Sequence, residues 1–107
     1  MILNHKYEPK KEIGKGAYGT IYKVLDNINN QFYALKFILN QEKIEKNEFK
    51  KDYEKEAEII KNIKNKYIIK LIDNFYDDIN EGYCIVMELC DEDLRKILKR
   101  YKPNNYH

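Results

Sequence analysis

The chain has 107 residues, 20 Lys+Arg against 18 Asp+Glu, ten tyrosines, two cysteines and no tryptophan. That length holds one small core and leaves no room for two catalytic lobes. A net charge of +2 argues against a nucleic-acid partner, and the longest apolar run, Tyr83 to Met87, is too short for a transmembrane helix, so no membrane partner is expected.

In chain order, residues 7–14 form a mixed stretch ending in glycine. Gly14-Lys15-Gly16-Ala17-Tyr18-Gly19 then holds three of the four glycines. Thr20 to Leu25 is rich in β-formers, Asp26 to Asn30 signals a turn, and Phe32 to Ile38 is a second aromatic and aliphatic run. Strand, turn and strand at short spacing predict an antiparallel meander. Residues 42–63 lack Gly and Pro and are dense in charge and helix formers. Phe49, Tyr53, Glu56, Ile60 and Ile63 fall within about 80° of one another on a helical wheel, an amphipathic stripe. Glu56 sits near its middle. A carboxylate aimed at a core is costly unless paired, so the stripe predicts a buried or half-buried cation facing Glu56.

Residues 68–75 and 82–87 read as two further strands, joined as a hairpin by the turn from Asp77 to Gly82. Residues 88–92 form a polar connector. Residues 93–101 can start another helix, with Leu94, Ile97 and Leu98 on one side and Pro103 as its stop. The fold class is α+β. Cys84 and Cys90 form neither a disulfide framework nor a metal site, so an intracellular setting, cytoplasmic or nuclear, is expected. The N-terminus lacks the apolar segment of a signal peptide. His5 and His107 lie at the ends and make poor bases or ligands.

Three features carry chemistry. A Gly-x-Gly-x-x-Gly loop brings backbone N–H groups close to phosphates. Here a β-rich run follows it rather than a helix, so the dinucleotide-binding version of the pattern fails. What remains is a glycine turn between two strands, as a lid over nucleotide phosphates or as a hairpin without a ligand. In Tyr33-Ala34-Leu35-Lys36, Ala34 and Lys36 share one face of a strand. The small residue leaves room for a flat ligand, and the lysine can reach its phosphates. Lys36 is, however, one of 18 lysines, and Lys, Ile, Asn and Tyr together make 55 of the 107 residues, as AT-rich codons would give. Glu56 is the third feature.

Taken in this order, the motifs resemble the N-terminal, ATP-binding lobe of a protein kinase of the Ser/Thr type, over most of the chain from Tyr7 to Tyr101. The resemblance implies a five-stranded antiparallel sheet with one main helix, then a hinge and a short helix. The lobe would span about 7–87, the hinge 88–92 and the start of a second lobe 93–107, one partial domain in all. Gly14, Lys15, Gly16, Ala17, Tyr18 and Gly19 would form the lid, with Tyr18 at its tip. Ile13, Ile21 and Ala34 would enclose adenine, with Met87 behind it. Glu88, Leu89 and Cys90 would be the hinge, and Asp93 a ribose contact. Lys36 would bind the α and β phosphates and be held by Glu56. Ile60 and Leu71 would belong to an apolar column between lobes. ATP and Mg²⁺ are the implied cofactors, a protein hydroxyl the implied acceptor, and a regulatory protein on the helix a compatible partner.

The sequence departs from the family pattern at Ile21, where valine is usual, at Asn65-Lys66-Tyr67, and in a short connector without Gly-Gly. It contains no His-Arg-Asp, Asp-Phe-Gly or Ala-Pro-Glu, and its two arginines are Arg95 and Arg100. The family's catalytic base and metal ligands are therefore missing, and no metal ligand is expected within these residues. The expectation is an incomplete catalytic domain, inactive alone. A free-standing kinase-like or pseudokinase lobe serving protein interaction, and an unrelated α+β domain with a chance glycine loop, are the alternatives.

Overall fold

The computed structural model describes residues 2–16, 19–62 and 70–89, with backbone alone at 16, 56 and 59–62. Strands β1 (Tyr7–Gly16), β2 (Gly19–Asp26) and β3 (Gln31–Leu39) precede helix α1 (Lys46–Asn62), which is followed by β4 (Leu71–Asp77) and β5 (Gly82–Glu88). The strands form one antiparallel sheet in the order β1-β2-β3-β5-β4. The expected sheet of five strands and its one main helix are therefore observed. The expected helix at 93–101, the connector beyond Leu89 and the strand residues before 70 lie outside the described residues.

Two hairpins share one local device. Asp26 ends β2, and its Oδ1 accepts hydrogen bonds from the Ile28 and Asn29 N–H groups at 2.8 and 3.3 Å. Asp77 ends β4, and its Oδ2 accepts from Asn80 N–H at 3.2 Å. Each four-residue loop closes on a left-handed residue, Asn30 at φ 62° and Glu81 at φ 53°. Both aspartates are buried, and these local bonds offset the cost of burying them.

Helix α1 starts at Lys46, four residues later than the composition suggests. The side chain of Asn40 explains the delay. It bonds both the N–H and the carbonyl of Ile44, while Lys43 sits at φ 51°. Polar side chains of this kind offer the backbone an alternative to helix. Glu45 then caps the helix, its carboxylate accepting the Asn47 N–H.

Alternation along the strands supplies two cores, one on each face of the sheet. Ala34, Ile38, Tyr83, Ile85 and Met87 pack with Phe49 of α1 on one face. Leu35, Val24, Cys84 and Val86 pack with Leu3 and Tyr7 on the other. All of β5 from Gly82 to Met87 is buried. On the helix, Phe49 and Ala57 are buried and Tyr53 is half-buried, so the first two residues of the predicted stripe face inward; the side chains of Glu56, Ile60 and Ile63 lie outside the described ones.

The second face is closed by a turn the sequence did not announce. Leu3 and Tyr7 exchange two backbone hydrogen bonds of 2.8 Å around Asn4 and His5, both at positive φ. The Tyr7 ring stacks on Phe75 with centroids 5.9 Å apart, and its hydroxyl donates to Asp73 Oδ2 at 2.9 Å. Tyr7 opens one edge strand, while Phe75 and Asp73 lie on the other. In a flat sheet those edges would stand roughly 19 Å apart, so this sheet is strongly coiled. Close packing also dictates Gly82: a Cβ there would lie 2.3 Å from the Phe37 ring.

Burial pushes the Cys84 thiol up from its ordinary 9.0, and burial together with the Asp73 carboxylate pushes the Tyr7 phenol up from 10.0. Both groups stay protonated in the folded chain at pH values where the unfolded chain loses the protons. Their contribution to stability is thus fully present below about pH 9 and is lost as pH rises further. Urea midpoints should fall between pH 8 and pH 10.5, and Cys84→Ala should show a smaller fall than the unaltered chain.

Candidate functional site

The glycine hairpin stands at one end of β1 and β2. Gly14 pairs with Ile21, Lys15 with Thr20, and Gly16 with Gly19. Ala17 and Tyr18, the expected tip, lie outside the described residues. Gly19 is glycine for two reasons. Its φ is +128°, and a Cβ there would stand 2.5 Å from the Phe37 carbonyl oxygen of β3. The hairpin therefore rests directly on the backbone of the strand that carries Lys36.

Strand β1 reaches the helix-side face through an irregularity. Its register to β2 slips once after Pro9 and again after Glu12, so that Ile13 is an extra residue. Bulges re-aim side chains, and Ile13 packs against the helix-side core. Ile21, half-buried, joins it from β2. Ala34 and Met87, both fully buried, pair across β3 and β5, and Met87 also pairs with Leu71 of β4. Leu89 packs against the same cluster. The sheet thus gathers six predicted residues, Ile13, Ile21, Ala34, Leu71, Met87 and Leu89, into one apolar group.

Lys36 lies between Ala34 and Ile38 on this face and is half-buried. It pairs with Ile21 of β2 and Ile85 of β5, so aliphatic residues flank it on both neighbouring strands. Its position beside this group is built in by strand alternation. Glu88 is exposed, and its N–H donates to the Lys70 carbonyl at 2.9 Å. Lys15 is exposed on the hairpin.

Glu56 belongs to α1, in its third turn, by its backbone; its side chain lies outside the description, as do the side chain of Ile60 and all of Cys90 and Asp93. Among the described residues, no three His, Cys, Asp or Glu side chains gather to hold a metal ion, and no helix is long and apolar enough to cross a membrane. Small apolar walls, a half-buried lysine and a glycine hairpin suit a flat ring with an anionic tail.

Sequence reasoning passed over Asn40 and Tyr76, which bond each other beneath the start of α1 at 3.1 Å. The signal available was slight: an asparagine following an apolar strand, and a tyrosine just before the aspartate that ends β4.

A family model described as protein kinase domain matches residues 7–106. The serine/threonine-protein kinase TOUSLED of Arabidopsis thaliana is 31% identical over 102 residues, covering 92% of this chain and 15% of the relative. The dual specificity tyrosine-phosphorylation-regulated kinase 4 of Homo sapiens is 32% identical over 105 residues, covering 97% and 19%. The probable serine/threonine-protein kinase YbdM of Bacillus subtilis is 31% identical over 98 residues, covering 92% and 38%. The chain thus spans well under half the length of these relatives.

Because Gly19 combines positive φ with backbone contact, Gly19→Ala should destabilise the fold by about 2 kcal/mol or more, with the loss centred on the β2–β3 pair. Denaturant unfolding and amide exchange at Ile21 and Phe37 measure it. Gly14→Ala, at a position without positive φ, should cost less.

Proposed function

The chain belongs to the protein kinase domain family, and from that premise we propose that it is the ATP-binding lobe of an enzyme transferring the γ-phosphoryl group of ATP to a protein Ser or Thr hydroxyl. One observation carries this reading. A half-buried lysine shares a sheet face with an apolar group drawn from β1, β2, β3 and β5, directly beside a glycine hairpin.

In this reading the adenine ring enters against Ile13, Ile21 and Ala34. Met87, fully buried, limits its depth. The Glu88 carbonyl and the Cys90 N–H bond the adenine edge. The Glu88 N–H is already engaged by Lys70, so the carbonyl is the group Glu88 can offer. Asp93 meets the ribose. Gly14, Gly16 and Gly19 let the hairpin backbone approach the phosphates. Lys36 neutralises the α and β phosphates and orients the chain of phosphates for in-line attack.

Glu56 holds Lys36 in place. A half-buried lysine on a strand position flanked by Ile21 and Ile85 is stabilised by a facing carboxylate, and a carboxylate in an apolar helical stripe needs a facing cation. Each residue answers the other's requirement. Mg²⁺ would neutralise charge developing on the phosphates. Its ligands and the catalytic base are not among these 107 residues, which carry neither His-Arg-Asp nor Asp-Phe-Gly. Residues 88–92 serve as the hinge and 93–107 begin the second lobe.

The chain should bind ATP weakly, because it supplies one side of the pocket. Titration followed by methyl NMR should move Ile13, Ile21, Ala34 and Met87 together. Lys36→Ala should weaken ATP binding about tenfold or more, and should barely change binding of adenosine, which lacks phosphates. Equal weakening for both ligands would exclude the phosphate role of Lys36. The purified chain should release no phosphate from Mg-ATP and transfer none to protein. Turnover that survives Lys36→Ala, yet is lost on changing another residue of the chain, would overturn the assignment.

A further inference from the structure

Asn40 directly follows β3 and is 4% exposed. Its Nδ2 donates to the Ile44 carbonyl at 2.8 Å and to the Tyr76 hydroxyl at 3.1 Å, while its Oδ1 accepts the Ile44 N–H at 3.1 Å. Its backbone N–H donates to the Glu81 carbonyl at 2.9 Å. One residue therefore ties together the end of β3, the entry to α1, the β4 strand and the β4–β5 turn. Tyr76 extends the tie into the helix. Its ring meets Phe49 edge-on at 6.0 Å, and Lys46 Nζ lies 5.7 Å above it while bridging to Asp78 at 3.0 Å. Lys46 and Phe49 occupy the first turn of α1.

An apolar anchor at this place would hold the helix as firmly but could slide. The amide of Asn40 fixes direction, because it engages both the N–H and the carbonyl of a single residue two positions before the helix. A buried amide bonded in this way resists displacement, since any shift leaves a polar group unpaired. Beyond this anchor Tyr53 and Ala57 pack inward, and any change in the helix's starting direction grows with distance along it. Glu56 lies ten residues from Lys46, about 15 Å along the axis, so a tilt of about 5° at the start moves it by about 1 Å. Errors of that size are enough to undo a positioned pair.

We propose that Asn40 and Tyr76 are positioning residues: they set the start and tilt of α1 so that its third turn delivers Glu56 to Lys36. This rests on the Lys36–Glu56 pair proposed above. A purely structural role would stabilise the loop at 41–45 without reaching Lys36.

Lysine side-chain NMR of the isotope-labelled chain separates these roles, with the Lys36 Hε/Cε signal assigned by its loss in Lys36→Ala. Glu56→Gln should move that signal. Tyr76→Phe keeps the ring against Phe49 and deletes the hydroxyl that Asn40 bonds. It should move the Lys36 signal the same way, with the thermal midpoint lowered by only a few degrees. In the double variant the signal should stay where Glu56→Gln alone puts it, because the two changes act through one pair. Asn40→Ser gives the same comparison from the other partner, so an unfolded variant does not decide the matter. If Glu56→Gln moves the signal and neither Tyr76→Phe nor Asn40→Ser does, the positioning role is overturned and the pair stands. Displacements that add in the double variant overturn it equally. A Lys36 signal indifferent to Glu56→Gln removes the pair, and this inference with it.

Discussion

β5 has a strand on each edge and packed side chains on each face, so none of its residues from Gly82 to Met87 has a route to water. Each residue of this strand must therefore be spent on one core or the other. Tyr83, Ile85 and Met87 go to the helix side, Cys84 and Val86 to the opposite side. The antiparallel register then fixes β3 in turn: Ala34 stands opposite Met87 and Lys36 opposite Ile85. Slipping that register by one residue would send Lys36 into the second core and Leu35 to the helix side. The lysine is half-buried among aliphatic residues as a consequence of this pairing.

The second core makes that pairing secure. Tyr7 reaches from the first strand to Phe75 and Asp73 on the last, which requires a coiled sheet and also locks it in that shape. The consequence for the site is indirect but physical. Coiling curves the helix-side face inward, so that Ile13, delivered by a bulge in β1, converges on residues three strands away. The aromatic residues on the far face, Tyr7, Tyr33, Phe37 and Phe75, thus govern how tightly the near face closes. A change in that layer should be felt at the glycine hairpin, because Phe37 touches both Gly19 through its carbonyl and Gly82 through its ring.

The strands were legible from the sequence wherever alternation or a continuous apolar run met a turn signal. Asp26 to Asn30 and Asp77 to Gly82 marked both hairpins correctly because the aspartates act on their own loops, a local effect. Strand order was hardly legible. The one signal was the unbroken apolar run from Tyr83 to Met87, which suits β5, and not the mixed β4, to burial on both faces between two strands. The start of α1 was misplaced because the helix-forming composition of 42–45 is overridden by the side chain of Asn40, three positions upstream of Lys43. The turn from Leu3 to Tyr7 gave no signal at all, since its stability comes from contacts made some 66 residues away in sequence, at Asp73. Of the site, Ala34 and Lys36 could be singled out by type and spacing, and Ile13 and Ile21 only through the family resemblance. Their convergence on one face could not be read for Ile13, whose side depends on a bulge.

Two kinds of support meet at Lys36. The strands that flank it are held by backbone ladders, and their side chains fill fully buried positions such as Ala34, Ile85 and Met87. Displacing that part of the site would disrupt a core, so it behaves as a rigid template. Helix α1 is attached differently. Its backbone lies nearest β4 and β5, while Phe49 near its start joins the cluster that includes Ala34 and Ile38 of β3, and Ala57 farther along is buried as well. Glu56 in the proposed pair therefore belongs to an element that shares no ladder with the strand it serves. A rigid template and a helix pinned at its start, then packed again at Ala57, make a pairing whose geometry depends on the pin. The polar contacts at that pin, between Asn40, Ile44 and Tyr76, are directional in a way that apolar packing is not, and this is the physical reason to look there for control over where Glu56 is delivered.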